Sequence, residues 1–167
     1  MLTFAIAILA VLLAAGLFFV GYGRAETWAL IFGDPDLGHF DRAAPVRTDT
    51  PNDALLCTRG LCENVEVDTE LPDFPGPPAR LIEEIDAAMR ASGEIYRRVD
   101  DGADPARVRY VTFSPLMRFP DTNSFEAVPL EETGRVGLVA YARAEIGRSD
   151  LGKNRQRLER IAAALRD

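Results

Sequence analysis

The sequence predicts an α+β domain behind a membrane-crossing helix. The expected body is a mostly antiparallel sheet of about four strands with flanking helices, preceded by an irregular Pro-rich arm. Three observations predict it. Residues Leu2–Tyr22 carry no charged side chain. The segments near residues 78–93 and 150–165 place apolar residues at helical spacing. Between those two segments lie strand-like runs separated by short turn signals.

In the opening segment Thr3 is the only clearly polar side chain among Leu, Ile, Ala, Val and Phe. About 20 apolar residues at about 1.5 Å rise cover about 30 Å, the thickness of a bilayer core. A cleaved signal peptide would show a basic leader, an apolar run of roughly 7–15 residues and a small-residue cleavage site. Here the run is longer, no Lys or Arg precedes it, and no A-x-A-like site stands out, so a retained anchor over residues 1–23 fits better. The helix is expected to run on through "ETWALIF" until Gly33 and Pro35 stop it. Only Arg24 lies close to the span, with Glu26 beside it, which by itself favours a cytoplasmic body. An acidic body is repelled by an anionic inner leaflet, however, and the close cysteine pair suits an oxidising compartment. Together these favour a single-pass protein of the bacterial inner membrane with a periplasmic body.

Charge divides that body. Residues 24–79 hold 4 basic and 11 acidic side chains and 7 of the 11 prolines. This reads as an extended acidic arm packed on a core of residues 80–167. Its apolar residues, Trp28, Leu30, Ile31, Phe32, Leu37, Phe40, Leu55, Leu56 and Leu61, are too many for a disordered linker. In the core, "ARLIEEIDAAMRASG" sets Leu81, Ile85 and Met89 on one face with Ile82 and Ala88 beside them, Pro78 in the first turn and Gly93 at the stop. The runs "EIYRRV", "RVRYVTF", "SFEAVPL" and "RVGLVAYARAEI" follow, punctuated by "DDGADPA", "RFPDTN" and "EETG". Connections this short favour antiparallel pairing. A last helix is expected from near Asp150 to Leu165, burying Leu151, Leu158, Ile161, Ala162 and Leu165.

Net charge is −7 and arginine outnumbers lysine 18 to 1, a bias that suits a GC-rich genome. Net acidity argues against nucleic acid as a partner. Cys57 and Cys62 are spaced to close a small loop as a disulfide. Two thiols and the single His39 do not fill a structural zinc site, no C-x-x-C is present, and neither metal nor cofactor is expected. A Cys–His nucleophilic pair is formally open but far weaker than the structural reading.

The pattern G-x-x-D-L-G occurs twice, in "GDPDLGH" at 33–39 and "GRSDLGKNR" at 147–155. The second reads first as a strand-to-helix connection: Ser149 or Asp150 caps the helix, Leu151 anchors it, and Gly152 allows close backbone approach. It reads second as an anion site, with Arg148, Lys153, Asn154 and Arg155 at a helix N-terminus and Arg118 and Arg143 converging on it. A capping Asp150 competes for the donors an anion needs, and the pattern is not a P-loop. Lys153, Arg157 and Arg160 share one helix face and are expected to dock on the acidic arm. In "RFPDTNSF", Asp121 and Asn123 read as turn formers with Arg118 pairing Asp121; the catalytic alternative joins Asp121 to Asp150 as an acid/base pair.

Taken together, "DPDLGHFD", "PNDALLC…GLC", "RFPDT" and "YARAEIGRSDLGKNRQRLERI" resemble the family catalogued as domain of unknown function 1499, over residues 33–165. Arg118–Asp121 match its Arg-Phe-Pro-Asp turn and Gly147–Arg155 its Gly-x-Ser-Asp-Leu-Gly-x-Asn-Arg element. Ala142 departs from it, standing where many members carry serine. The resemblance implies an envelope or lumenal setting, often behind an N-terminal membrane segment, and supplies no catalytic residues. The expected function is a non-enzymatic envelope protein that binds a membrane partner or anionic headgroup through Arg118, Arg143, Arg148 and Arg155. The alternatives are a hydrolase-like enzyme using Asp121 and Asp150, and an accessory subunit of a membrane complex that makes contact through its span and residues 28–40.

Overall fold

A computed structural model describes residues 1–165. Helix α1, Leu2–Tyr22, buries none of its residues against the body and is long and apolar enough to cross a membrane. It does not run on as the sequence suggested. Gly23 breaks it at φ 118°, a value L side chains rarely adopt, and a Cβ there would lie 2.1 Å from a Glu26 carboxylate oxygen. Helix α2, Arg24–Phe32, restarts the chain and ends at Gly33. Thr27 Oγ1 donates to the Gly23 carbonyl at 2.7 Å, and Trp28 packs edge-on against Phe19 at 5.3 Å between ring centroids.

The body is α+β, with one mixed sheet of six strands: β1 Asp53–Thr58, β2 Thr69–Leu71, β3 Ile95–Arg98, β4 Arg107–Phe113, β5 Pro120–Leu130 and β6 Arg135–Ala144. Their order across the sheet is β2-β1-β6-β5-β4-β3. Every pairing is antiparallel except β1 with β2, which is parallel. The four strands expected from the core segment are present. The two extra ones come from residues 53–71 and extend the sheet beyond β6. In β1 every residue after Asp53 is buried, because helices cover one face and the arm covers the other, so its sequence shows no alternation. Strand β5 starts at Pro120, four residues earlier than "SFEAVPL" implies. Asp121 and Asn123 are therefore strand residues, and residues 114–119 form the turn.

Alternation along β6 sorts the two faces. Leu138, Ala140 and Ala142 face α3, Pro78–Ala91, and α4, Lys153–Ala164, with Leu81, Ile85, Met89, Leu158 and Ile161 completing that core. The small alanines let the helices approach. Val139 and Tyr141 face the other way, under Phe40 from the arm and Leu61 and Cys62 from the disulfide loop. The stripes read from the helical periods are buried, with one exception. Leu151 is 80% exposed, because the helix starts two residues later and a turn at φ 58° swings Leu151 outward before it begins. Cys57 and Cys62 form a disulfide across the β1–β2 loop.

Candidate functional site

The ends of β4 and β6 and the starts of β3 and β5 lie at one rim of the sheet, since Ile95 pairs with Phe113, Phe113 with Pro120, and Asp121 with Ala144. The two sequence motifs flank this rim. Two pockets open there, sharing Ile95 and Phe113 in their linings.

The first pocket, about 360 Å3, is bordered by α4 and the α3–β3 link. Its floor is a closed ionic network around Arg157, which is 7% exposed. Arg157 Nε donates to Glu94 at 2.8 Å, Nη2 to Asp121 at 3.2 Å, and Nη1 to the side-chain oxygens of Asn154 at 2.6 Å and Asn123 at 3.3 Å. Arg160 adds a second bond to Glu94 at 2.6 Å. Asn154 donates to the Asn52 carbonyl at 3.1 Å, and Asn52 donates to the Gly147 carbonyl at 3.0 Å, so the network ties α4, β5, the strand-to-helix loop and the start of β1 together. Burial pushes the Asp121 carboxyl up, Arg157 pulls it down, and the charges of Asp150 and Glu94 add to the upward push. Asp150 accepts from the N–H groups of Gly152 at 3.0 Å and Asn154 at 2.7 Å, and Ser149 accepts from Leu151 N–H at 3.2 Å. Both carboxylates of the sequence-derived acid/base pair are thus bound to the protein's own donors.

The basic face of α4 does not meet the acidic arm as a unit. Arg157 and Arg160 turn to Glu94 and Asp121 of the core. Among the described cations of α4, the one that reaches the arm is Arg155, outside that face, donating to the Asp68 carbonyl at 3.0 Å while pairing with Glu159 at 2.9 Å. Lys153 lines the pocket mouth and is exposed. Sequence reasoning missed Asn52 and Glu94, and read Asn123 as a turn former. Arg157 it placed on a face docked against the acidic arm, because nothing in a helical spacing tells a cation buried in the core from one at the surface.

The second pocket, about 480 Å3, lies between the α1–α2 junction and the sheet. Val20 of α1, Ala25 and Ala29 of α2, Pro35, Ile95 and Phe113 give it apolar walls. Arg24, Arg97, Arg118 and one acid, Glu26, give it charge. Helix α2 is held in place by its polar atoms: Arg24 Nη1 donates to the Leu116 carbonyl at 2.6 Å and Trp28 Nε1 to the Met117 carbonyl at 2.7 Å, while the Trp28 ring meets Phe119 at 5.0 Å. The same turn leaves the Leu116 and Met117 side chains exposed. Arg118 sits in that turn at φ 60°, a conformation that costs a non-glycine residue of order 1 kcal/mol. Its Nη1 is buried without a hydrogen-bond partner. Arg118 does not pair with Asp121, which faces the helices instead. Among the described residues, Arg24, Arg97 and Arg118 have no salt-bridge partner.

Four cations expected to converge are therefore dispersed. Arg118 belongs to the pocket beside α2. Arg143 follows Tyr141 in parity onto the arm-covered face, where it lines a separate pocket of about 240 Å3 with His39 and Phe40. Arg148 is exposed on the strand-to-helix loop, and Arg155 is engaged with Glu159. Among the described residues no cluster of three or more His, Cys, Asp or Glu is arranged to hold a metal ion.

The two copies of G-x-x-D-L-G share their glycine and Asp geometry but differ at the leucine, which is left-handed only at Leu151. Asp36 accepts from Gly38 N–H at 3.1 Å as Asp150 does from Gly152, and Gly33 and Gly147 adopt φ 102° and 99°. Asp36 then pairs with Arg109 at 2.9 Å and pins the arm to β4, whereas Asp150 starts α4.

No curated protein and no solved structure matches the chain. Residues 58–165, which hold β1's last residue through α4, match the family described as "Protein of unknown function (DUF1499)". With the sheet, its covering helices and both rim motifs inside that match or bordering it, this chain belongs to the DUF1499 family.

Proposed function

We propose that this chain is a single-pass membrane protein whose α1 stays in the bilayer, whose body faces the periplasm, and whose sheet rim binds an anionic headgroup without catalysing a reaction. One observation carries the reading. The turn at residues 114–119 is fastened to α2 directly beyond the end of α1, so the rim with unpaired arginines and exposed Leu116 and Met117 is the end of the body nearest the apolar helix. Cations with no carboxylate partner beside apolar tips suit the interface of an anionic bilayer. The engagement of Asp121 by Arg157 and of Asp150 by backbone N–H groups supports binding over acid/base chemistry. The Cys57–Cys62 disulfide supports an oxidising compartment.

A second reading, an accessory subunit of a membrane complex, draws on a specific feature: Leu30, Ile31 and Phe32 at the end of α2 are 65%, 60% and 51% exposed. Native mass spectrometry of the full chain, extracted in mild non-ionic detergent, separates the two. Headgroup binding predicts retained anionic phospholipid in preference to zwitterionic lipid. Co-purification of a membrane protein at fixed stoichiometry with no such lipid favours the subunit. A mature chain lacking residues 1–22 overturns both.

A further inference from the structure

We infer that the pocket between the α1–α2 junction and the sheet is a site for the phosphate of an anionic phospholipid, held by Arg24, Arg97 and Arg118. The inference rests on the reading that α1 stays in the bilayer, and it names the site and ligand class.

Four observations on independent parts of the molecule meet in this pocket. The first is charge. Three arginines and one glutamate line it, and among the described residues none of the arginines has a salt-bridge partner. Elsewhere Arg47, Arg98, Arg107, Arg109 and Arg157 all pair with carboxylates at 3.2 Å or closer, and the other described arginines without a partner, Arg90, Arg143 and Arg148, do not share a pocket. In a chain of net charge −7, three neighbouring unpaired arginines are not explained by a shortage of acids. The second is Arg118 itself. Its Nη1 is withdrawn from water without an acceptor, and its backbone is held in the left-handed region. A guanidinium charge is delocalised over its plane, so an anion beside the exposed part of the group compensates the whole of it. Phosphate, with several acceptor oxygens, matches such forks better than a monodentate acceptor does.

The third observation is depth. Val20, in the last turn of α1, lines the pocket, and α1 has the length of a bilayer core. The arginines therefore stand at the level where headgroup phosphates lie. The fourth is the rest of the lining. Val20, Ala25, Ala29 and Phe113 give an apolar wall that suits the glycerol and upper acyl region of a lipid, a surface a free phosphate ion does not require. Of the three arginines, sequence reasoning singled out only Arg118. Arg97 reaches the site because β3 places it on the same face as Ile95 and Phe113, and Arg24 because Gly23 turns the chain at the bilayer surface.

The test uses the full chain in nanodiscs of phosphatidylcholine with and without phosphatidylglycerol. Lipid retained after release into detergent is counted by native mass spectrometry. The wild-type chain is expected to keep phosphatidylglycerol over phosphatidylcholine. Arg118→Ala and Arg97→Ala each weaken that retention about tenfold, the effect of losing one charge-assisted contact. Arg59→Ala, at the far edge of the sheet, leaves it unchanged. Arg97 is exposed on an edge strand, so its variant carries the test independently of Arg118→Ala. Wild-type retention unaffected by both arginine variants overturns this site while leaving headgroup binding in place. No anionic lipid retained by the wild-type chain overturns both. Saturation of the detergent-solubilised chain by inorganic phosphate, at the affinity shown for the lipid, overturns the lipid assignment.

Discussion

Arginines meet two environments at the same rim of this sheet. Around Arg157 every guanidinium nitrogen has an acceptor, two carboxylates share its charge, and two asparagines close the remaining gaps. Around Arg118, a few residues away across Ile95 and Phe113, three arginines share a pocket with a single glutamate that none of them contacts as an ion pair. The difference teaches what a buried cation is for. A charge taken out of water needs compensation, and when its own fold provides it the group acts as a tie between elements. Where the fold provides none, as at Arg118 Nη1, the proposed reading assigns the compensation to an anion from outside.

The largest expected effect lies on the closed side. Arg157→Ala leaves Asp121 and Glu94 without their shared partner and is expected to cost about 3–5 kcal/mol, measured by chemical denaturation. Arg157→Met, which keeps most of the volume but not the charge, loses as much if the ionic bonds matter and less if packing matters. Next comes the disulfide. Opening a loop this short, by Cys57→Ala with Cys62→Ala, is expected to cost about 2 kcal/mol by the same measurement under oxidising conditions.

The third prediction concerns pH. Burial works to raise the Asp53 carboxyl, but the Arg47 guanidinium, the Thr48 N–H and the Tyr141 hydroxyl outweigh it and hold it below its ordinary value. A lowered folded value means that its stabilisation is full above the unfolded pKa of about 3.9 and is lost as pH falls through the folded one. The gap in stability between the wild-type chain and Asp53→Asn should therefore be widest near neutral pH and close below about pH 4. Asp36, which burial also works to raise, is held down by Arg109 and the Gly38 N–H and adds to the same acid limb. Asp121 has the opposite sign. Its folded value is raised, so its share of stability is present below the unfolded pKa and is lost as pH rises.

The smallest effect on stability belongs to the open side. Arg118→Ala and Leu151→Ser are each expected to shift unfolding by under about 0.5 kcal/mol, since neither side chain is engaged by the fold. A large loss from either would place it in the structural group.

What the sequence made legible follows the same division. Helices α3 and α4 were readable because a helix that covers a sheet must repeat its apolar residues every third or fourth position, and Leu81, Ile85, Met89, Leu158 and Ile161 do. Strands β3, β4 and β6 were readable from β-branched and aromatic runs between turn signals. Strand β1 was not, because "DALLCT" is covered on both faces, shows no alternation, and stands amid prolines and acids that colour the whole segment as irregular. The rim was only half legible. Parity alone separates Arg143, which shares the face of Val139 and Tyr141, from Asp121, which pairs with Ala144 on the helix face. The grouping of Arg24, Arg97 and Arg118 depends on how a break at Gly23, an edge strand and a six-residue turn meet in space, and no spacing in the chain records that.

Thermal unfolding of the full chain in zwitterionic micelles, with and without added phosphatidylglycerol, measures the contrast between the two groups most directly. A ligand that binds the folded form raises its melting temperature. The account predicts that Arg157→Ala melts well below the wild-type chain in both conditions and still gains from the lipid. Arg118→Ala should melt with the wild-type chain when lipid is absent and gain little when it is added. Equal destabilisation of the two variants without lipid, or a full lipid gain in Arg118→Ala, would contradict it.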